Sequence, residues 1–288
     1  MVSWHHPAYE NWYSASIHFL ALGVMAIEFQ TPPINEVVIG KVFEPVLDLT
    51  VPYYGRFWEL VEDDFPQCQH ATPIGDQQPS GDVSVAVDAA SGSILPRVWF
   101  KSHDGTRLLQ LQQDRFYFDW RQLPGESSEY IRFDSIYRDY RRYSDVFSAF
   151  IVNQFASELR PKRLDLTYVN VFEQGAEWNE FSDLQALFKG FEFLQKYDGI
   201  GSILQGGVRL EFKMHECPGT LNFQLASGRN VVTQKPVLRM ELAATCIVAE
   251  HLGLNDHDWF HSAHDAIVQG FCDLTTEDAQ QRHWKRIS

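Results

Sequence analysis

The sequence predicts a duplicated α+β fold, a unit of strand, helix, antiparallel strands and long helix that occurs twice. Three observations carry this. Apolar side chains alternate with period two in short runs such as Phe116, Phe118 and Trp120, or Leu164, Leu166 and Tyr168, which buries one face of each run. Two longer stretches, residues 131–157 and 256–274, carry apolar residues at helical spacing. The order of segments restarts after roughly 130 residues, far above the period of solenoid repeats. We therefore expect two curved antiparallel sheets, each backed by helices, either joined edge to edge as one saddle or packed as separate lobes. The chain divides into an N-terminal extension (1–30), a first α+β repeat (31–160) and a second (161–288). The boundary lies at Pro161, which disfavours helix in the residue ahead of it.

In the first repeat, a strand spans 31–43 and starts at Pro32-Pro33, since proline cannot donate to a sheet ladder. A helix over 52–65 follows, with Tyr54, Phe57, Trp58, Val61 and Phe65 on one side and Pro52 in its first turn. Residues 71–96 are rich in Gly, Pro, Ser, Gln and Asp and read as loop, with a candidate strand at 83–87. Strands are expected at 97–102, 107–112 and 116–120, the first two joined by the tight-turn pair Asp104-Gly105. The helix over 131–157 buries Phe133, Tyr137, Tyr140, Phe147, Phe150 and Ile151.

In the second repeat, a strand spans 163–172 and a helix 182–196, with Ser182 as its N-cap. Strands at 207–215, 220–225 and 236–244 are separated by Pro218-Gly219 and Ser227-Gly228 turns. The helix over 256–274 ends the unit, and Thr275-x-x-Asp278 reads as a capping box for a last short helix.

Composition narrows the function classes. Hydrophobic residues make up 44% and charged residues 22%, so the chain can build a core. The formal charge of −14 disfavours broad contact with a nucleic-acid backbone. Four cysteines without a C-x-x-C pair argue against a zinc ribbon or a disulfide scaffold, and we expect reduced thiols in a cytoplasmic protein. The apolar run at residues 17–27 is shorter than the about 20 residues a membrane helix needs. No Lys or Arg precedes it, so no export signal and no membrane association are expected. Met25 is an alternative natural start, with residues 1–24 as an extension.

The densest candidate chemistry is His257, His261, His264 and Asp265. Spacings of four and three residues bring the imidazoles to one helix face, where they could ligate zinc or another transition metal, with Asp265 as a further ligand. His264 is also in register with Phe260, Ile267 and Phe271, which suits a hydrogen-bonded core residue equally. His215 and Cys217 share one face of a strand end, but no helix N-terminus activates the thiol. His103 belongs to a hairpin turn. Arg132, Arg138, Arg141 and Arg142 interleave with Asp134, Asp139 and Asp145, which suits local ion pairing; Arg138 and Arg142 are the candidates for an anionic partner. The glycines from Gly199 to Gly207 lack the Lys-Ser/Thr ending of a phosphate-binding loop. No cofactor is expected.

Pro32-Pro33-Ile34 followed by Glu36-Val37-Val38-Ile39 resembles the opening of a family of uncharacterised, sporadically distributed prokaryotic proteins of similar length. Its members begin with a Pro-Pro-Ile-x-Glu-x-Val-Ile motif. Further echoes are Asp104-Gly105-Thr106-Arg107, Asp114-Arg115-Phe116, Tyr168-Val169-Asn170, Ala263-His264 and the stretch from Phe271 to Glu277, so the resemblance spans residues 25–288. The basic residue that family carries just before the Tyr168 position is absent here, where Asp165 and Thr167 stand. The resemblance carries over no catalytic residues. Its patchy distribution implies an accessory gene, such as one in a mobile-element or phage-defence locus.

Two main classes of function follow. The first is a non-enzymatic binding or accessory protein of a prokaryotic multi-gene system that engages a protein partner through exposed aromatics such as Tyr117, Trp99 or Tyr168. The alternative is a metal-dependent hydrolase or nuclease built on His257, His261 and His264. A third class is a small-ligand sensor, with an apolar cavity between long helix and sheet and with Tyr168 and Asn170 as its lining.

Overall fold

The computed structural model describes residues 27–77, 83–84, 95–123, 130–194, 198–230, 232–251 and 253–288. The expected extension, the Met25 start and most of the strand at 83–87 lie outside the described residues. In chain order the elements begin with β1 (Ile34–Phe43), α1 (Val51–Trp58), β2 (Gln67–Ala71), β3 (Asp76–Gln77) and β4 (Val83–Ser84). Then come β5 (Arg97–Lys101), β6 (Arg107–Gln112), β7 (Arg115–Arg121), α2 (Phe133–Phe155) and β8 (Pro161–Glu173). The chain closes with α3 (Leu184–Leu187), β9 (Gly207–Lys213), β10 (Thr220–Arg229), β11 (Pro236–Ile247), α4 (Asp256–Leu274) and α5 (Glu277–Arg282).

The two curved sheets expected from the sequence are a single sheet. A single nine-stranded antiparallel sheet runs β2-β5-β6-β7-β1-β8-β11-β10-β9, and β3 and β4 form a small pair apart from it. In each half the first strand pairs with the last: β1 with β7, and β8 with β11. The two first strands pair with each other at the centre, Val37 opposite Tyr168 and Ile39 opposite Leu166. The physical reason is edge disposal. Two sheets would each leave a long, apolar first strand with a row of unpaired backbone groups, and joining them removes both edges. On its other side β1 meets β7 so closely at Gly40 that a side chain there would collide with the Phe116 carbonyl and the Tyr117 ring.

The helices α2 and α4 pack on the same face of the sheet. Phe147 of α2 stacks on Phe116 of β7 at 5.1 Å and 11°. Tyr140 of α2 meets Phe260 of α4 edge-on at 5.3 Å, so the two helices share one aromatic core. The opposite face is polar yet partly buried. There Tyr117 Oη donates to Asp165 at 2.7 Å, and Gln110 Nε2 donates to Asp119 at 2.5 Å. Among the described residues no helix is long and apolar enough to cross a membrane.

Several local expectations are corrected: the helix over 52–65 ends at Trp58, and Ser227-Gly228, expected as a turn, is paired within β10. The helix over 182–196 is reduced to a 3-10 turn at Phe181–Asp183 and the single turn of α3, and Phe188 is already extended. Glu180 and Asp183 cap this turn reciprocally, in place of Ser182. Thr276 caps α5, while Thr275 is buried and its hydroxyl donates to the Phe271 carbonyl. Finally, β2 was not expected: Gln-Cys-Gln-His-Ala carries no apolar alternation, and its pairing with β5 is what makes it a strand.

Candidate functional site

A cleft of about 310 Å³ opens on the helix side of the sheet, beside the β1–β8 seam. Three parts of the fold build it. Alternation along β8 turns Tyr168 and Asn170 inward together. Helical spacing on α4 presents His264, Ile267 and Phe271 opposite them. The segment just before α2 supplies Tyr130, Arg132 and Phe133, and the chain from Ile27 to Ile34 covers the far side.

The polar groups form one line. Tyr130 Oη lies 3.0 Å from Tyr168 Oη, which lies 3.0 Å from His264 Nδ1. Tyr168 is 2% exposed, and burial holds its hydroxyl well above the usual tyrosine range. Burial likewise pushes Tyr130 up to about 12. It pushes His264 down to about 4, against a smaller opposing effect of Asp134. All three groups are therefore neutral at pH 7. The line can carry its protons in either sense, from Tyr130 towards the ring nitrogen or away from it, so its outer hydroxyl can donate or accept. Apart from Glu28, Arg132, Asp134 and Asn170 the walls are aromatic and aliphatic: Phe133 stacks on the His264 ring at 4.3 Å and 5°, and Phe29 meets Phe271 at 5.5 Å.

Arg132, the N-cap of α2, stands at the lip. Its backbone has φ 68° and ψ 151°, a region close to glycine-only. Its guanidinium reaches Glu28 at 3.9 Å.

The histidines are brought together but not converged. His257 stacks on His261 at 4.5 Å, and Tyr137 meets both edge-on. Phe133 contacts both His261 and His264. The Nδ1 of His264 is engaged by Tyr168, and Asp265 is exposed. Among the described residues no group of three or more His, Cys, Asp or Glu side chains is placed to hold a metal ion.

The remaining candidates lie elsewhere. Arg138 is exposed on α2, and Arg142 binds Asp64 at 3.0 Å while lying over the Tyr143 ring. Ion pairs Arg107–Asp139 and Arg141–Asp145 share this helix. Cys217 is buried against Met214, and burial pushes its thiol up to about 11, the reverse of an activated nucleophile. His103 sits in the turn that Asp104 ties to Ser102 and Thr106. Sequence reading placed Phe133 on the buried side of its helix and Arg132 among that helix's arginines, but not in a cleft, and it missed Tyr130, which precedes α2 where no periodicity marks an inward side.

No family model matches this chain. No curated protein matches it either. Among solved structures, the chain is similar to DynU16, described as a protein of the dynemicin biosynthetic locus, at 11% identity and a TM-score of 0.24. That match covers 84% of this chain and 96% of DynU16.

Proposed function

We propose that this chain is a non-enzymatic binding protein whose cleft takes a small, uncharged, largely apolar molecule with one hydroxyl or carbonyl end. The observation that carries this reading is the neutral line Tyr130–Tyr168–His264 ending in an aromatic cleft. Apolar walls with a few convergent polar groups are the usual chemistry of a ligand pocket. The Tyr130–Tyr168–His264 line carries no charge and so suits an uncharged hydroxyl or carbonyl, while Glu28, Arg132 and Asp134 supply the charged part of the lining. The volume sits at the low end for such sites, which limits the ligand to one or two rings. Catalysis is not part of the proposal. A histidine with a pKa of about 4 is a poor general base at pH 7. The accessory setting implied by the family resemblance adds a protein partner that reads the occupied state.

Native mass spectrometry of protein purified from its own host tests this directly. Adduct masses that vanish in Tyr168→Phe are expected. A bare chain mass, with no thermal shift across a panel of phenols, cyclic ketones and ring alcohols, would overturn it.

A further inference from the structure

The strand β9, Gly207–Lys213, forms one edge of the nine-stranded sheet. All of its residues except Val208 are exposed. Leu210 and Phe212, on the helix side, are 43% and 39% exposed. Arg209, Glu211 and Lys213 alternate with them on the polar side.

The ladder to β10 fixes which backbone groups are free. Ser227 donates its N–H to the Gly206 carbonyl, and Met214 donates to Gly219. Residues 206 and 214 therefore occupy hydrogen-bonded pairs with β10, and by alternation so do Val208, Leu210 and Phe212. The N–H and C=O groups of Gly207, Arg209, Glu211 and Lys213 turn to the open edge. Any antiparallel partner must meet these positions in register.

We infer that β9 pairs with β9 of a second copy about a two-fold axis through Leu210, which joins two sheets into one. This register uses the whole strand, and in it the side chains complement each other. Arg209 stands opposite Glu211 of the second copy, twice by symmetry. Phe212 stands opposite Val208, and Leu210 opposite itself. Gly207 stands opposite Lys213, so no like charges face each other. Shifting the centre by one residue to Glu211 sets Glu211 against itself and Arg209 against Lys213, which repels. Charged edge strands commonly serve to prevent pairing. Here the alternating signs repel in the shifted register and attract in the central one. The two-fold closes the assembly, whereas pairing β9 to the opposite edge β2 would propagate.

Sedimentation velocity of the full chain tests this. A dimer that dissociates on dilution is expected. Glu211→Arg should weaken it about tenfold or more, because both symmetry-related pairs reverse together. The double variant Arg209→Glu, Glu211→Arg should restore it. In a Cys68→Ser background, Leu210→Cys should crosslink to itself on mild oxidation, since facing residues in a wide pair approach to about 4.5 Å between Cα atoms. Unchanged circular dichroism and melting verify that the variants fold, as expected for exposed positions. A monomer at all concentrations overturns the inference. So does a dimer indifferent to Glu211→Arg, or a growing polymer.

Discussion

Tyr168 of β8 and His264 of α4 meet across the helix–sheet interface, with the phenol oxygen 3.0 Å from the ring Nδ1. This contact ties β8, which pairs with the central strand β1, to the last long helix. Tyr130 lies on its other side at 3.0 Å. One hydroxyl thus serves two neighbours that have few other partners in an apolar setting.

Removing that hydroxyl strands both neighbours. Tyr168→Phe leaves the ring in place but takes a partner from Tyr130 and from His264. A buried polar group without a partner costs about 1–3 kcal/mol. Urea unfolding should show a loss of that size with an unchanged m-value. Loss below about 0.5 kcal/mol would mean that water satisfies both groups.

Acid should destabilise the fold through His264. Its folded pKa of about 4 lies below the ordinary value of 6.5. Between these values the unfolded state binds more protons, so stability rises with pH across the window and is lost as pH falls from 6.5 to 4. The full effect is on the order of 3 kcal/mol. Burial raises Asp119 and Glu36, which act in the opposite sense: the stability they add is lost as pH rises through their folded values. The comparison is therefore wild type against His264→Gln across pH 4 to 7. The difference in melting temperature should shrink or reverse on acidification, because glutamine does not titrate.

Gly40→Ala should be severe despite its small size. The added carbon meets the Phe116 backbone carbonyl, which cannot swing aside as a flexible side chain would. Overpacking a tight site costs about 1–3 kcal/mol, and a backbone collision places this change at the upper end. A shift of the denaturation midpoint reports it. A change within experimental scatter would show that the β1–β7 pair can open at Gly40.

Arg132→Gly should stabilise. The φ of 68° with ψ 151° costs an arginine about 1–3 kcal/mol, while glycine adopts it freely. Glycine also adds about 0.5–1 kcal/mol of unfolded-chain entropy, so a net gain near 1 kcal/mol is expected. The same variant should bind the cleft ligand more weakly, because a loosened lip no longer fixes the start of α2. Stabilisation with unchanged ligand-induced melting shifts would separate the strain from binding.

Much of the element list was legible because burial writes periodicity into sequence. Phe116, Phe118 and Trp120 mark β7, and Asp256 to Leu274 bound α4 as its spacing suggests. Pairing was not legible. Nothing in Val37 or Ile39 says that their neighbours are Tyr168 and Leu166, since alternation reports a buried face and not the strand beside it. The helix over 182–196 misled because Leu184, Leu187, Phe188 and Phe191 keep helical spacing while being buried in an irregular segment. Positive φ at Gly190 is compatible with that break. Tyr130 was invisible for another reason: its role comes from contacts with Trp120 and Tyr168, while Tyr130 itself lies outside any periodic run.

The pairing order has a consequence for synthesis. β1 leaves the ribosome early, but its two neighbours are β7 and β8. Its central position cannot be filled until the chain has been translated through Glu173. Until then Val37, Ile39 and Val42 belong to a nascent chain that can offer β1 at most one of its two neighbours, β7. Such delayed, non-local closure is slow and leaves apolar strands open to wrong partners. Ribosome profiling with chaperone capture should therefore find nascent chains held until β8 has emerged, and pausing downstream of β8 should raise the folded yield more than pausing upstream.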